Sequence, residues 1–129
     1  MDTQEKARIL LVDDEPALVK LMQTYLSRMG YTVDTSGDAD GAFAAFEQTS
    51  QHYDLLVADV TLPGMSGQDM ALQLLASKPA LKVLLCSGYP IAVDALPDGV
   101  QSRVAALEKP FLPNMLAKAI EELLQRQTP

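Results

Sequence analysis

Four short apolar runs recur along the chain: Ile9-Leu10-Leu11-Val12, Leu55-Leu56-Val57-Ala58, Val83-Leu84-Leu85-Cys86 and Val104-Ala105-Ala106-Leu107. Continuous runs of this length suit strands buried on both faces, and such strands belong to parallel sheets covered by helices. The segments between the runs carry the covering layers. From Leu18 the apolar positions continue at Leu21, Met22, Tyr25, Leu26 and Met29, which is the spacing of one helix face; Pro16 marks a start and Gly30 a left-handed stop. Tyr31 to Thr35 predicts a shorter strand, Asp38 to Glu47 a helix with Phe43 and Phe46 on one side, and Gln68 to Ala76 a third helix. A last helix begins near Pro113, with Leu116, Ile120, Leu123 and Leu124 at helical spacing and Arg126 placed to suit its dipole. Between Ser87 and Arg103 the pattern is broken by Pro90, Pro97 and Gly99, so one short helix within Ile91 to Leu96 is expected there. Strands alternating with helices imply right-handed crossovers. The expected fold is therefore α/β: a doubly wound, five-stranded parallel sheet with a short or irregular fourth helix.

A chain of 129 residues suits one domain spanning its whole length, with a core from about Arg8 to Gln125. The net charge of −7 disfavours direct binding to nucleic acid or to an anionic membrane, and favours cations. No run is long enough to insert into a membrane. Cys86 is the only cysteine, and Met1 to Glu5 lack the apolar core of a signal peptide, so the expected setting is the cytoplasm.

Parallel strands share one carboxyl edge, and ligands of open α/β sheets bind there. The residues that fall on that edge are Asp13 and Asp14 after the first run, Asp59 after the second, Ser87 after the third and Lys109 near the end of the fourth. Crowded carboxylates raise one another's pKa unless a cation sits among them, and hard oxygen ligands suit Mg²⁺. An aspartate beside such an ion has the chemistry to attack phosphorus and form an aspartyl phosphate. Phosphoryl transfer needs alignment and positive charge around the moving oxygens, which a metal, a lysine and a hydroxyl donor supply.

Four phrases in order carry a family resemblance: Val12-Asp13-Asp14-Glu15-Pro16; Asp59 with Leu62-Pro63-Gly64-Met65-Ser66-Gly67; Ser87-Gly88; and Lys109-Pro110-Phe111. From Arg8 to Gln125 the chain resembles the receiver domain of bacterial two-component response regulators. The resemblance implies the flavodoxin-like (βα)₅ fold. It implies Asp59 as phosphoacceptor, Asp13 and Asp14 as holders of Mg²⁺ with the main-chain carbonyl of Thr61, Ser87 as switch hydroxyl, Lys109 as the lysine that pairs with carboxylates and then with the phosphoryl group, and a cis Lys109-Pro110 bond. The implied partners are a histidine kinase or histidine phosphotransfer protein and a downstream protein the sequence does not name. Such a module is a signalling phosphoacceptor rather than an enzyme, its chemistry confined to its own aspartate. The Ser87-Gly88-Tyr89 and Leu107-Glu108-Lys109-Pro110-Phe111 phrases resemble receivers attached to hybrid histidine kinases.

One position departs from the family pattern. Three residues before the lysine, where the family usually has Tyr or Phe, this chain has Ala106, so phosphorylation is expected to be read through the segment after Ser87 instead. Thr61 and Tyr89, each two places past a site residue, are placed to shape water access to an acyl phosphate. Two competing functions stand beside the leading one. A receiver-like module that docks without phosphorylation has Ala106 as its support, and a Mg²⁺-dependent phosphatase with an aspartyl nucleophile lacks the general acid it needs at Thr61. A flavin site has no Gly-, Ser- and Thr-rich loop after the first strand to cradle a phosphate. Cys86 reads as core, His52 as an exposed loop residue, and the methionines as packing.

Overall fold

The computed structural model describes residues 6–48 and 52–126. The reading of Met1 to Glu5 as leader-free lies outside those residues. The elements follow as β1 (Arg8–Val12), α1 (Pro16–Arg28), β2 (Thr32–Ser36), α2 (Ala39–Glu47), β3 (Leu55–Asp59), α3 (Gly67–Ser77), β4 (Lys82–Ser87), β5 (Val104–Glu108) and α4 (Pro113–Gln125). All strand pairs are parallel, in the order β2-β1-β3-β4-β5. The order reverses between β1 and β3, which opens a crevice at their carboxyl ends.

Each central strand is buried on both faces, so its alternate side chains feed two separate cores. Leu10, Val12, Leu56, Ala58, Val83 and Leu85 pack with Ala42, Phe46, Met70 and Leu74 from α2 and α3. Ile9, Leu11, Leu55, Val57, Leu84 and Cys86 pack with Met22, Leu26, Leu116, Ile120 and Leu123 from α1 and α4. Burying any one of these large side chains is worth about 1.5–3 kcal/mol, which explains why the central strands β1, β3 and β4 carry no polar residue between their ends.

Local chemistry sets the element boundaries. Pro16 opens α1 at its first turn, and Gly30, with φ 104°, closes it. The Gly30 amide bonds to Ser27 O and the Tyr31 amide to Leu26 O, a double closure in which the Leu26 and Tyr31 side chains join the same core. Asp38 caps α2 by accepting from the Gly41 amide at 2.8 Å, and Ser66 caps α3 by accepting from the Asp69 amide at 3.1 Å.

The expected short helix is a single 3₁₀ turn, Val93–Ala95, followed by a second, Gln101–Arg103. The physical reason is Pro97. It pushes Leu96 into extended geometry, with φ −76° and ψ 163°, and so stops the first turn after three residues. Leu96 is nonetheless buried, and the Gln101 side-chain amide staples the segment by donating to Leu96 O at 2.7 Å and to Asp94 O at 3.2 Å. The chain thus has four α-helices among its described residues, where the alternation predicts about five.

The amino edge of the sheet holds polar groups that the sequence pattern does not flag. Arg103 is buried, and its guanidinium donates at 3.0–3.1 Å to Leu75 O and Lys78 O at the end of α3 and to Leu81 O in the connection to β4. Lys82, also buried, donates to Leu124 O and Arg126 O at the end of α4. Arg126 does not serve its own helix dipole as expected. It is the C-cap residue, and its guanidinium reaches Val104 O at 3.0 Å, because Lys82 already occupies the helix end.

A third polar group ties β1 to β2. Arg8 pairs with Asp34 at 2.8 Å, and the Tyr53 hydroxyl donates to the same Asp34 oxygen at 2.7 Å. Burial raises the Tyr53 phenol, and the Asp34 hydrogen bond and charge add to this, against a smaller opposing effect of Arg8, to about 12. A folded pKa above the unfolded one means that Tyr53 contributes stability fully below pH 10 and loses it as the pH rises toward 12. Urea denaturation across that window is expected to show a falling midpoint in wild type and a flatter profile in Tyr53→Phe. Parallel profiles would refute the assignment.

Candidate functional site

The carboxyl ends of β1, β3, β4 and β5 deliver Asp13, Asp59, Ser87 and Lys109 to one edge, as the parallel order requires. Asp13, Asp59 and Ser87 are buried, whereas Asp14 is exposed at the rim. One carboxylate oxygen from each of Asp13, Asp14 and Asp59 lies within 4.8 Å of the others, a spacing that suits a hard cation. The Lys109 ammonium bridges the two buried acids, 3.2 Å from Asp13 Oδ2 and 3.2 Å from Asp59 Oδ2.

Each acid is also aimed by main chain. Asp13 Oδ1 accepts from the Glu15 amide at 2.9 Å and Asp59 Oδ1 from the Thr61 amide at 3.1 Å, which leaves the Oδ2 atoms turned toward the lysine. Asp13 therefore does not cap α1. The N-cap position is Glu15, whose side chain makes no capping bond. An open crevice lined by Asp13, Asp14, Pro16, Val19, Ser36 and Gly37 lies beside the acids.

Electrostatics follow the geometry. Burial pulls the Lys109 ammonium down, but the hydrogen bonds and charges of Asp13 and Asp59 outweigh it and hold the pKa above the ordinary lysine value. Lys109 thus stays cationic. Burial pushes the neighbouring Cys86 thiol up, with Asp59 and Asp13 adding to it and Lys109 partly opposing, to about 12. A thiol so raised is a weak nucleophile, which agrees with its reading as core.

Ser87 Oγ accepts from the Tyr89 amide at 3.0 Å, while the Lys109 amide donates to Ser87 O at 2.7 Å. Tyr89 itself is exposed, as are Thr61 and His52. The Lys109-Pro110 peptide is cis. Ala106 lies exposed on β5. Every residue singled out for the site from the sequence therefore reaches the same edge. What the sequence pattern left unassigned was Gly67, at the start of α3. Its signal was present, a glycine opening a helix where most helices would have a side chain.

A parallel five-stranded sheet whose carboxyl edge carries lysine-bridged acids defines a class of α/β domain that works from its strand ends. The model of the response regulator receiver domain matches residues 9–121, and the chain belongs to that family, which serves two-component signalling. It is 35% identical over 122 residues to the probable transcriptional regulatory protein TcrX of Mycobacterium tuberculosis, covering 92% of this chain and 50% of that one. It is 30% identical over 126 residues to the sensor kinase CckA of Brucella abortus, covering 98% of this chain and 13% of the kinase. The chain thus spans half or less of these curated relatives. Among solved structures, the response regulator TrrA of Thermotoga maritima in complex with Mg²⁺-BeF superposes with a TM-score of 0.76 at 30% identity, covering 92% of this chain and 99% of that one. The receiver domain of the hybrid histidine kinase CckA gives 0.76 at 29% identity, with the same coverage. No helix among the described residues is long and apolar enough to cross a membrane.

Proposed function

We propose that this chain is a phosphoacceptor module in which Asp59 takes a phosphoryl group from the phosphohistidine of a histidine kinase or phosphotransfer protein. The observation that carries this reading is Lys109, whose ammonium stands 3.2 Å from both Asp13 and Asp59. A lysine so placed holds the carboxylate before transfer and meets the phosphoryl oxygens after it. The Asp13, Asp14 and Asp59 oxygens are a donor set of the kind Mg²⁺ prefers, which the main-chain carbonyl of Thr61 would complete. That ion, when bound, supplies charge neutralisation to the transferred oxygens.

In the transfer, a carboxylate oxygen of Asp59 bonds to phosphorus as the phosphorus–nitrogen bond breaks, and the electron pair leaves with the imidazole. Ser87 offers its hydroxyl to a phosphoryl oxygen. Doing so disturbs the bond it accepts from Tyr89. With Ala106 exposed on β5 in place of an aromatic, the event is read through the Ser87 to Arg103 segment. The downstream partner is a protein, and the buried, unpaired Cys86 fits a cytoplasmic setting.

The test is intact-mass spectrometry with Mg²⁺ and acetyl phosphate. Wild type gains one phosphoryl group and Asp59→Asn gains none, while amide exchange between Ser87 and Arg103 changes on phosphorylation. Stable modification of Asp59→Asn would overturn the site, and unchanged exchange would overturn the readout. A wild type that takes no phosphoryl group favours the docking-only reading that Ala106 suggests.

A further inference from the structure

Helix α3 starts against the phosphoacceptor's own main chain. A Cβ built on Gly67 would stand 1.9 Å from Asp59 O, 2.8 Å from Asp59 C and 2.9 Å from Val60 Cα. All three obstacles are backbone, so no side chain can swing aside. The Gly67 amide meanwhile donates to Val60 O at 2.9 Å, and the Val60 amide donates to Cys86 O at 3.0 Å, so this stretch is clamped between α3 and β4. By contrast, a Cβ on Gly41 in the first turn of α2 would meet the Ser36 hydroxyl oxygen at 2.3 Å, an obstacle that can rotate. Gly67 is the residue where the helix touches the reacting strand with nothing to spare.

We infer that Gly67 is a positioning residue for Asp59, acting through the main chain of Asp59 and Val60 on the carboxylate that faces Lys109. Any larger residue must drive the Asp59 carbonyl and the start of α3 apart by about 1 Å, and a misplacement of that size costs on the order of 10²-fold in rate. Among the described residues, the Asp59 carboxylate makes two hydrogen bonds, with the Thr61 amide on Oδ1 and with Lys109 on Oδ2. Both depend on where the Asp59 main chain sits. The separation is shared between the start of α3 and the Asp59 main chain, and the part taken by Asp59 moves its carboxylate.

This rests on Asp59 being the phosphoacceptor, and the experiment separates the two. Gly67→Ala is expected to lower the rate of phosphorylation by acetyl phosphate at saturating Mg²⁺ by roughly 10²-fold. In the metal-free protein it is expected to move the Thr61 amide resonance while leaving that of Glu15, which is bonded to Asp13, in place. Leu74→Ala, a cavity in the same helix, lowers stability but leaves the rate of the folded protein and both amides unchanged. If Gly67→Ala folds only with trimethylamine N-oxide, it is compared with wild type in the same osmolyte, which strengthens burial without engaging the site. A near-normal rate, an unmoved Thr61 amide, or failure to fold even in the osmolyte overturns the positioning role. A wild type that accepts no phosphoryl group overturns the phosphoacceptor reading instead.

Discussion

Lys109→Met is expected to slow phosphorylation of Asp59 by about 10²–10³-fold at saturating Mg²⁺, the loss typical of removing one preorganised donor from a transition state. The ammonium lies 3.2 Å from both Asp13 and Asp59 on a side chain mostly withdrawn from water, so its charge is fixed in place before the transfer. The substitution also leaves two buried carboxylates facing each other without their common partner, which makes the metal-free edge unfavourable. Both consequences are read in one experiment, a Mg²⁺ titration of the phosphorylation rate. The plateau falls, because the metal cannot supply the lysine's contact. Lys109→Arg should recover only part of it, since a planar fork does not reproduce a point charge between two acids. A plateau unchanged in Lys109→Met would show that the metal alone carries the charge.

Arg103→Met is expected to cost about 3 kcal/mol of stability with no change in the phosphorylation rate of the folded protein. Three carbonyls accept from this guanidinium, those of Leu75, Lys78 and Leu81, and hydrogen bonds to charged groups are worth more than neutral ones. Methionine preserves much of the volume and none of the donors. Against a total stability of about 5–15 kcal/mol for a domain of this kind, the loss is large. Urea denaturation measures it directly, and a midpoint within error of wild type would refute the role of Arg103 as the end-cap of α3.

The strands and the placement of the candidate site residues were legible in the sequence for one reason. Burial on both faces forces an unbroken apolar run, and where the run stops, at Asp13, Asp59 and Ser87, the sheet edge begins. Parallel order then brings those ends together. Helix α1 was equally plain, because Pro16 and Gly30 act through local backbone geometry. Residues whose work is done at a distance in sequence were not legible. Lys82 and Arg103 look like solvated charges until the helix ends they satisfy, up to 44 residues away, are placed beside them. Arg126 was misread for the same reason, since the helix end it follows was already taken. The segment from Ser87 to Arg103 gave a correct warning and an imprecise answer. Its prolines forbid a regular helix, but which 3₁₀ turns remain depends on the burial of Leu96 and the reach of Gln101. Gly67 showed as a glycine opening a helix, but what it must avoid, the Asp59 main chain, became visible only in the fold.

In the strands β1, β3, β4 and β5 the polar groups named above are sorted by end. Lys82 and Arg103 enter β4 and β5 at the amino edge, where they answer helix carbonyls, whereas Asp13, Asp59 and Lys109 leave at the carboxyl edge, where they answer one another. The length of a strand separates these helix-end contacts from the groups proposed to meet the phosphoryl group. Away from Ser66 and Gly67, where α3 is seated on β3, substitutions can therefore accumulate around the acidic edge without drawing on the guanidinium and ammonium contacts that hold the far ends of α3 and α4. The same separation lets the framework drift while the chemistry stays fixed, so stability and signalling in this domain are free to evolve on different clocks.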